Sequence, residues 1–129
     1  MIQSPNLYIL NENNSSSSGF ASHLIPPEGI VFNVTTKVEK AIADEWLQWI
    51  LQVHAPQIIL TRCFTHFKVL QLLEVDDAEG PTYAIQYFAD TLTGYERYIH
   101  EFAAHFSNQS LLKWNHRVMD FGTVMKVVN

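Results

Sequence analysis

From Ile30 onward the hydrophobic residues repeat with two different periods, and the order of those periods limits the possible fold. A period of two residues is typical of strands, and a period of three to four residues is typical of helices. The predicted strands cover residues 30–38, 63–74, 82–89 and 118–128, and the predicted helices cover residues 38–54 and 93–106, with a further helical turn over 109–114. This β-α-β-β-α-β order predicts an α+β, ferredoxin-like fold, in which two helices cover one face of a four-stranded antiparallel sheet.

Local signals predict where several of these elements begin, end or bend. Pro56 is expected to end the first helix, because its ring clashes with the preceding turn. The run Thr93–Glu96 fits a capping box and is expected to open the second helix. Gly122 indicates a bulge or bend in the last strand. The inner stripe of the second helix is predicted to contain Tyr95, Ile99, Phe102 and Phe106.

The predicted strands are apolar on both faces, which is unusual for a sheet with helices on one side only. On the third strand, Tyr83, Ile85 and Tyr87 share one face, while Ala84 and Phe88 share the other. The second and fourth strands show the same double pattern. The uncovered face would be a larger apolar patch than a soluble monomer usually exposes. The sequence therefore predicts a homodimer that packs sheet to sheet, of the dimeric α+β barrel type.

Residues 1–28 differ in composition from the rest of the chain. The stretch Asn11–Gly19 is polar and of low complexity, and the stiff pair Pro26-Pro27 follows it. The first basic residue is Lys37, and the apolar stretch Leu7–Leu10 is too short for the core of a secretory signal. We therefore expect residues 1–28 to be a disordered or poorly ordered extension that precedes one domain over residues 29–129.

Charge and cysteine content exclude several classes of partner. The 129 residues suffice for one domain, and 8 basic against 13 acidic residues give a net charge of -5. Neither nucleic acid nor an acidic membrane surface would suit that balance, and no apolar run is long enough to span a bilayer. The single cysteine, Cys63, fits a reducing, cytoplasmic location. No paired-cysteine or clustered histidine motif and no phosphate-binding glycine motif is present, so neither a metal nor a cofactor is expected.

Two polar residues are candidates for chemistry, and each also has a structural interpretation. His54 is expected at the C-terminal end of the first helix, where a protonated imidazole stabilises the helix. It would otherwise transfer protons at the mouth of a pocket between helices and sheet. Asn33 lies in the middle of the first strand, either as a structural amide or as a group that orients a ligand.

A small apolar or aromatic molecule is the ligand that the aromatic residues of the two helices and the third strand favour. The predicted pocket walls are Trp46, Trp49, Tyr83, Phe88 and Phe102, together with Phe106. Two alternatives stay open, a cofactor-independent enzyme of the dimeric α+β barrel type and a non-catalytic dimeric module whose aromatic residues fill the core.

Several runs of the sequence resemble one family. They are FNVT (32–35), IADEWLQW (42–49), HAP (54–56), CFT (63–65), EGPTYAIQYF (79–88) and VMKVVN (124–129). On these runs the chain resembles, over about 100 residues from Gly29 onward, the bacterial family named domain of unknown function 4286. Family members typically begin with methionine at the position of Gly29, so the resemblance implies that residues 1–28 are an extension. It also implies a dimeric α+β barrel, and it implies no activity.

Overall fold

A computed structural model describes residues 29–129, and the predicted extension over residues 1–28 lies outside them. The strands are β1 (Ile30–Val38), β2 (His66–Gln71), β3 (Thr82–Ala89) and β4 (Val118–Lys126). The α-helices are α1 (Ala43–Trp49), α2 (Ala55–Leu60), α3 (Leu92–Glu101) and α4 (Ala103–Trp114). A π-helical turn (Ile50–His54) joins α1 to α2, and 3-10 turns precede α1 (Lys40–Ile42) and β4 (Asn115–Arg117). The predicted α+β, ferredoxin-like fold is confirmed.

The four strands form one antiparallel sheet in the order β2-β3-β1-β4. The register pairs even-numbered residues of β1 with odd-numbered residues of β3 and even-numbered residues of β4, and these side chains share the face that packs against the helices. The opposite face is called the outer face below. Its residues are Val31, Asn33, Thr35 and Lys37 on β1, His66, Lys68 and Leu70 on β2, Thr82, Ala84, Gln86 and Phe88 on β3, and Met119, Phe121, Thr123 and Met125 on β4.

Strands β1 and β3 have the predicted bounds, whereas β2 is shorter than the predicted 63–74. The backbone takes positive φ at Arg62 (64°) and at Glu74 (58°), and extended structure cannot continue through that conformation. Cys63 and Phe64 are buried in the connection before the strand. Their burial produced the apolar pattern that extended the predicted strand too far.

The first helical stretch continues past Pro56, so the prediction that this proline ends it is wrong. Pro56 lies in the first turn of α2, where a missing backbone N–H costs little. The π-helical turn immediately precedes it, and the Ala55 N–H donates to the carbonyl of Ile50, five residues earlier. The wider turn replaces the i to i−4 pattern that proline disrupts. The helical stretch therefore reaches Leu60.

The second helical stretch begins at a different cap and breaks once. Thr91 is the N-cap residue, and its side chain accepts a hydrogen bond from the Gly94 N–H at 3.4 Å, so the capping box predicted at Thr93–Glu96 is wrong. Phe102, with φ of −127°, separates α3 from α4. The inner stripe of this helical stretch contains Tyr98, which is 4% exposed. The prediction that Ile99 belongs to the stripe is wrong, because Ile99 is 40% exposed.

Strand β4 contains no bulge at Gly122, in contrast to the prediction. The pairing of β1 with β4 continues without interruption from Ile30↔Lys126 to Val38↔Val118, with Gly122 opposite Val34. This position requires glycine for a different reason, because the ring of Phe32 lies directly over it. A Cβ atom at this position would come within 2.9 Å of the Phe32 Cε1 atom.

Candidate functional site

A cavity of about 180 Å³ lies between the helices and the inner face of the sheet. Strands β1, β3 and β4 form its floor, and α1, the π-helical turn, α2, α3 and α4 form its walls. Its apolar and aromatic lining consists of Phe32, Val34, Trp46, Ile50, Ile58, Ile85, Tyr87, Tyr98, Ala103, Phe106 and Gly122. Its polar lining consists of Thr36, His54, Ser107, Ser110 and Asp120. The cavity therefore combines aromatic walls with a small set of groups that can donate, accept or hold protons.

His54 reaches this cavity from the last position of the π-helical turn. Its imidazole stacks on Trp49, with the ring centroids 4.4 Å apart, and meets the edge of Phe106 at 5.8 Å. Its Nδ1 atom is buried and has no hydrogen-bond partner within residues 29–129. Burial lowers the pKa of His54 to about 4, so the imidazole is neutral at pH 7.

The predicted position of His54 at a helix C-terminus is therefore wrong. The helical stretch continues for six residues beyond it, through α2 (Ala55–Leu60), so the carbonyl groups that would favour a protonated imidazole are not there. Because Nδ1 is the buried ring nitrogen, Nε2 is the one available to a hydrogen-bond partner. The geometry suits a neutral imidazole that accepts or donates one hydrogen bond.

Asp120 and Thr36 are paired neighbours on β4 and β1, and both face the helices. Thr36 is 2% exposed and lies on the cavity floor. Asp120 belongs to an edge strand and keeps contact with solvent, so its carboxyl group stands at the open side of the cavity. Partial burial raises the pKa of that carboxyl above its usual range.

Two tyrosines complete the polar lining. Burial, the larger cause, raises the pKa of Tyr98 and that of Tyr87 well above the usual range for a phenol. Both side chains therefore stay neutral and can donate a hydrogen bond at any physiological pH. The Tyr98 ring lies 5.1 Å from Phe64 and 6.2 Å from Phe106, which fixes it between the helices and the sheet.

The structure distributes the predicted pocket walls over four environments, of which the outer face of the sheet, with Phe88, is one. Trp46 lines the cavity, as Phe106 does. Trp49 lies behind His54, and Tyr83 stacks on Trp46 at 5.3 Å, so both support residues that line the cavity. Phe102 is half-buried at the break between α3 and α4, with the Arg97 guanidinium 5.4 Å from its ring.

Asn33 and Phe88 lie on the outer face of the sheet, so they cannot join His54 in a cavity on the inner face. The register pairs odd-numbered residues of β1 with even-numbered residues of β3, so Asn33 and Phe88 share the outer face. The sequence alone does not show this register. Gln86 Nε2 donates to Asn33 Oδ1 at 3.2 Å, and Asn33 Nδ2 donates to Thr35 Oγ1 at 3.0 Å. These bonds fit the structural interpretation of the amide. Phe88 stacks parallel to the His66 ring at 4.4 Å.

Sequence reasoning missed Thr36, Tyr98 and Asp120 as cavity residues. Asp120 has the same strand phase as Val118 and Val124, and Thr36 has the phase of the apolar residues of β1. A carboxylate or hydroxyl in the apolar phase of a strand is a signal of a buried polar site, because its burial requires a partner. Tyr98 gave no such signal, since both Tyr98 and Ile99 fit a helical stripe.

Metal-ligand clusters and membrane-spanning helices are both absent from the part of the chain that the structure describes. Among residues 29–129, no three histidine, cysteine, aspartate or glutamate side chains converge as a metal site would require. Every helix in the same range is too short or too polar to cross a bilayer.

A family profile and several solved structures match the chain. The profile of the Domain of unknown function (DUF4286) family matches residues 29–128, which confirms the resemblance inferred from the sequence. A search of curated proteins found no significant match.

The structural likenesses lie at low sequence identity and show the fold alone. A dimeric ferredoxin-like protein from an uncultured marine organism matches with a TM-score of 0.61 at 12% identity, over 81% of this chain and 98% of that one. A hydroxynitrile lyase from Passiflora edulis matches with a TM-score of 0.57 at 14% identity, over 81% of this chain and 97% of the lyase.

Proposed function

This chain belongs to the DUF4286 family, and we propose that it is a homodimeric protein that binds a small aromatic molecule in the cavity between its helices and its sheet. The observation that carries the proposal is the position of His54, a neutral imidazole in a cavity that five aromatic side chains help to line. Cavities with apolar walls and a few convergent polar groups are typical of ligand sites.

The cost of placing a histidine at this position supports a role in binding. An unsatisfied buried polar atom costs about 1–3 kcal/mol, and Nδ1 of His54 has no partner within residues 29–129. An apolar side chain would pack between Trp49 and Phe106 without that cost. A residue that lowers stability in a cavity is a candidate for function.

The size of the cavity indicates the size of the ligand. An apolar protein cavity of about 150 Å³ accommodates benzene. The cavity here measures about 180 Å³, which suits one six-membered ring with one or two further heavy atoms. A polar substituent on that ring would find His54 or the hydroxyl group of Thr36.

The outer face supports the homodimeric part of the proposal. It exposes Met119 (70%), Phe121 (64%), Leu70 (43%) and Met125 (41%). A patch of this kind on a sheet favours a partner with the same character, and a second copy supplies it. The structurally similar protein from a marine organism is described as dimeric.

Benzyl alcohol is a suitable probe of the cavity, with two neighbouring alanines of α4 as a matched pair. We expect chemical shifts of the Trp46 indole to move on titration of the full chain. Ala103→Phe should abolish this, because Ala103 lines the cavity, whereas Ala104→Phe should bind normally, because Ala104 is exposed. No shift with the wild-type protein, or equal loss in both variants, would contradict the ligand proposal and favour the non-catalytic module.

A cofactor-independent enzyme is the second candidate, favoured by the presence of His54 and Asp120 in one cavity. Their environments lower the pKa of the imidazole and raise that of the carboxyl, and such displaced pairs occur in acid–base catalysis. Acetophenone in D2O tests this, because a base in the cavity would exchange its methyl protons. Exchange that is faster with the wild-type protein than with His54→Gln would support an enzyme, and equal rates would contradict it.

A further inference from the structure

The cavity lining contains one negatively charged side chain and no lysine or arginine, a composition that favours cationic ligands over anionic ones. Asp120 is the one carboxylate among the lining residues, and the lining contains neither lysine nor arginine. His54 adds no positive charge at pH 7, since burial keeps it neutral. Within residues 29–129, no arginine or lysine forms an ion pair with Asp120. A carboxylate without a cationic partner, at the open side of a cavity, leaves a negative potential there.

Aromatic rings strengthen the same preference. Phe32, Trp46, Tyr87, Tyr98 and Phe106 line the cavity. Aromatic rings pack well against an aromatic ring of a ligand, and they also tolerate a nearby cation, which their electron-rich faces attract. An anionic ligand would meet the Asp120 carboxylate, and no lysine or arginine among the lining residues would offset the repulsion.

Resting on the proposed function, we propose that the ligand of this cavity is a small primary amine attached to an aromatic ring, bound as its ammonium ion. The ammonium group lies at the open side, beside the Asp120 carboxylate and within reach of the Thr36 hydroxyl. The ring lies inside, against the aromatic walls. In this orientation the charge stays close to solvent, which avoids the large cost of burying an ammonium ion completely.

Three probes of nearly the same shape and different charge test the proposal. Benzylamine is a cation at pH 7, benzyl alcohol is neutral and benzoate is an anion. Titration of the full chain, followed by the Trp46 indole signal, should give benzylamine a dissociation constant about tenfold lower than that of benzyl alcohol, the ratio expected of one charge-assisted hydrogen bond. Benzoate should bind more weakly than benzyl alcohol.

Two aspartate variants separate a local effect from the net charge of the chain. Asp120→Asn should remove the advantage of benzylamine, so that its dissociation constant becomes about equal to that of benzyl alcohol for the same variant. Asp77→Asn removes the same charge from an exposed loop and should preserve the advantage.

Three other outcomes would contradict the inference, and each shows whether the proposed function fails with it. Equal binding of benzylamine and benzyl alcohol by the wild-type protein would show a cavity that binds rings without charge selection, so the proposed function would stand alone. Equal loss of the preference in both variants would assign it to the net charge of the chain. Binding by none of the probes would contradict the proposed function as well. The wild-type series decides the matter even if Asp120→Asn fails to fold.

Discussion

His54 is held by ring contacts rather than by hydrogen bonds through Nδ1. Trp49 stacks on its face, and the ring of Phe106 is perpendicular to it at 5.8 Å. Trp49 also meets Trp114 edge to face at 5.7 Å, and the Trp114 Nε1 atom is likewise buried without a partner within residues 29–129. Trp49 thus contacts both of the rings whose buried nitrogen atoms lack a partner within residues 29–129. This concentration of cost beside the cavity distinguishes the site from the rest of the core.

The buried imidazole should make stability depend on pH. The pKa of His54 is about 4 in the folded protein and 6.5 in the unfolded chain, so the unfolded state binds the proton first. The contribution of neutral His54 to the free energy of unfolding is fully present above pH 6.5. It decreases as the pH falls and levels off below pH 4, with a total loss of about 3 kcal/mol. Urea denaturation of His54→Leu should lack this loss and show equal or greater stability at pH 7.

Other groups titrate in the same range, so the difference between proteins is the quantity to measure. The raised pKa of Asp120 acts in the opposite direction, because the folded state holds that proton more tightly. The lowered pKa of His66 acts in the same direction as that of His54. His100→Leu, a substitution on the exposed side of α3, serves as the control. Parallel pH profiles of the wild type and His54→Leu would contradict the prediction.

The sequence predicted part of this site at the level of single residues. Trp46 was predicted because it belongs to the apolar stripe of the first helix, and His54 because it is a titratable residue that follows this stripe. Asn33 and Phe88 were misplaced because alternation shows which residues share a face of one strand, but not which faces of two strands coincide. That information comes from the register between β1 and β3. Asp120 was predictable from its phase in β4 and was overlooked among the valines.

At the scale of elements, the local sequence pattern predicted the bounds of two strands more accurately than the ends of the helices. Strands β1 and β3 have the predicted bounds because alternation and turn signals agree there. The helix ends differ because proline and threonine signals depend on the surrounding turn. Pro56 is accepted by the π-helical turn, and Thr91 rather than Thr93 has the extended backbone that a cap needs. In both cases the backbone conformation determines which of several similar residues ends or caps the helix, and the sequence pattern alone does not.

Gly122 links β4 to the cavity, and its replacement should be destabilising. Replacing glycine inside a strand ordinarily raises stability by about 0.5–1 kcal/mol, because glycine loses more chain entropy on folding. Here the added methyl group would meet Phe32 Cε1 at 2.9 Å, and the Phe32 ring is surrounded by other aromatic rings. We expect Gly122→Ala to lower the free energy of unfolding by about 1–3 kcal/mol in urea denaturation.

A double-mutant cycle identifies the cause of that loss. In the Phe32→Leu background the clash is relieved, so Gly122→Ala should cost at least about 1 kcal/mol less than in the wild type. Equal costs in the two backgrounds would assign the effect to the strand rather than to the ring. Because Phe32 also lines the cavity, Gly122→Ala should weaken the binding of benzyl alcohol.

At the scale of the whole molecule, the two faces of the sheet serve different purposes. The inner face contributes the core and the floor of the cavity, and the outer face carries a polar row across its middle. That row consists of Lys68, Gln86, Asn33 and Thr123. Apolar residues flank the row on both sides, including Phe88 and Phe121. A face with this arrangement can bury apolar area and still specify one register with a second copy, since paired amides tolerate few alternatives.

The homodimer remains a prediction, and the concentration dependence of stability tests it. If two copies pack outer face to outer face, folding is linked to association, so Tm should rise with protein concentration. Phe121→Glu places a charge on an outer-face residue that is 64% exposed in the single chain and should give a monomer whose Tm is independent of concentration. Leu112→Glu alters a residue of α4 that is 77% exposed and should leave the dimer intact. A wild-type monomer in sedimentation equilibrium, or equal dissociation of both variants, would contradict the predicted interface.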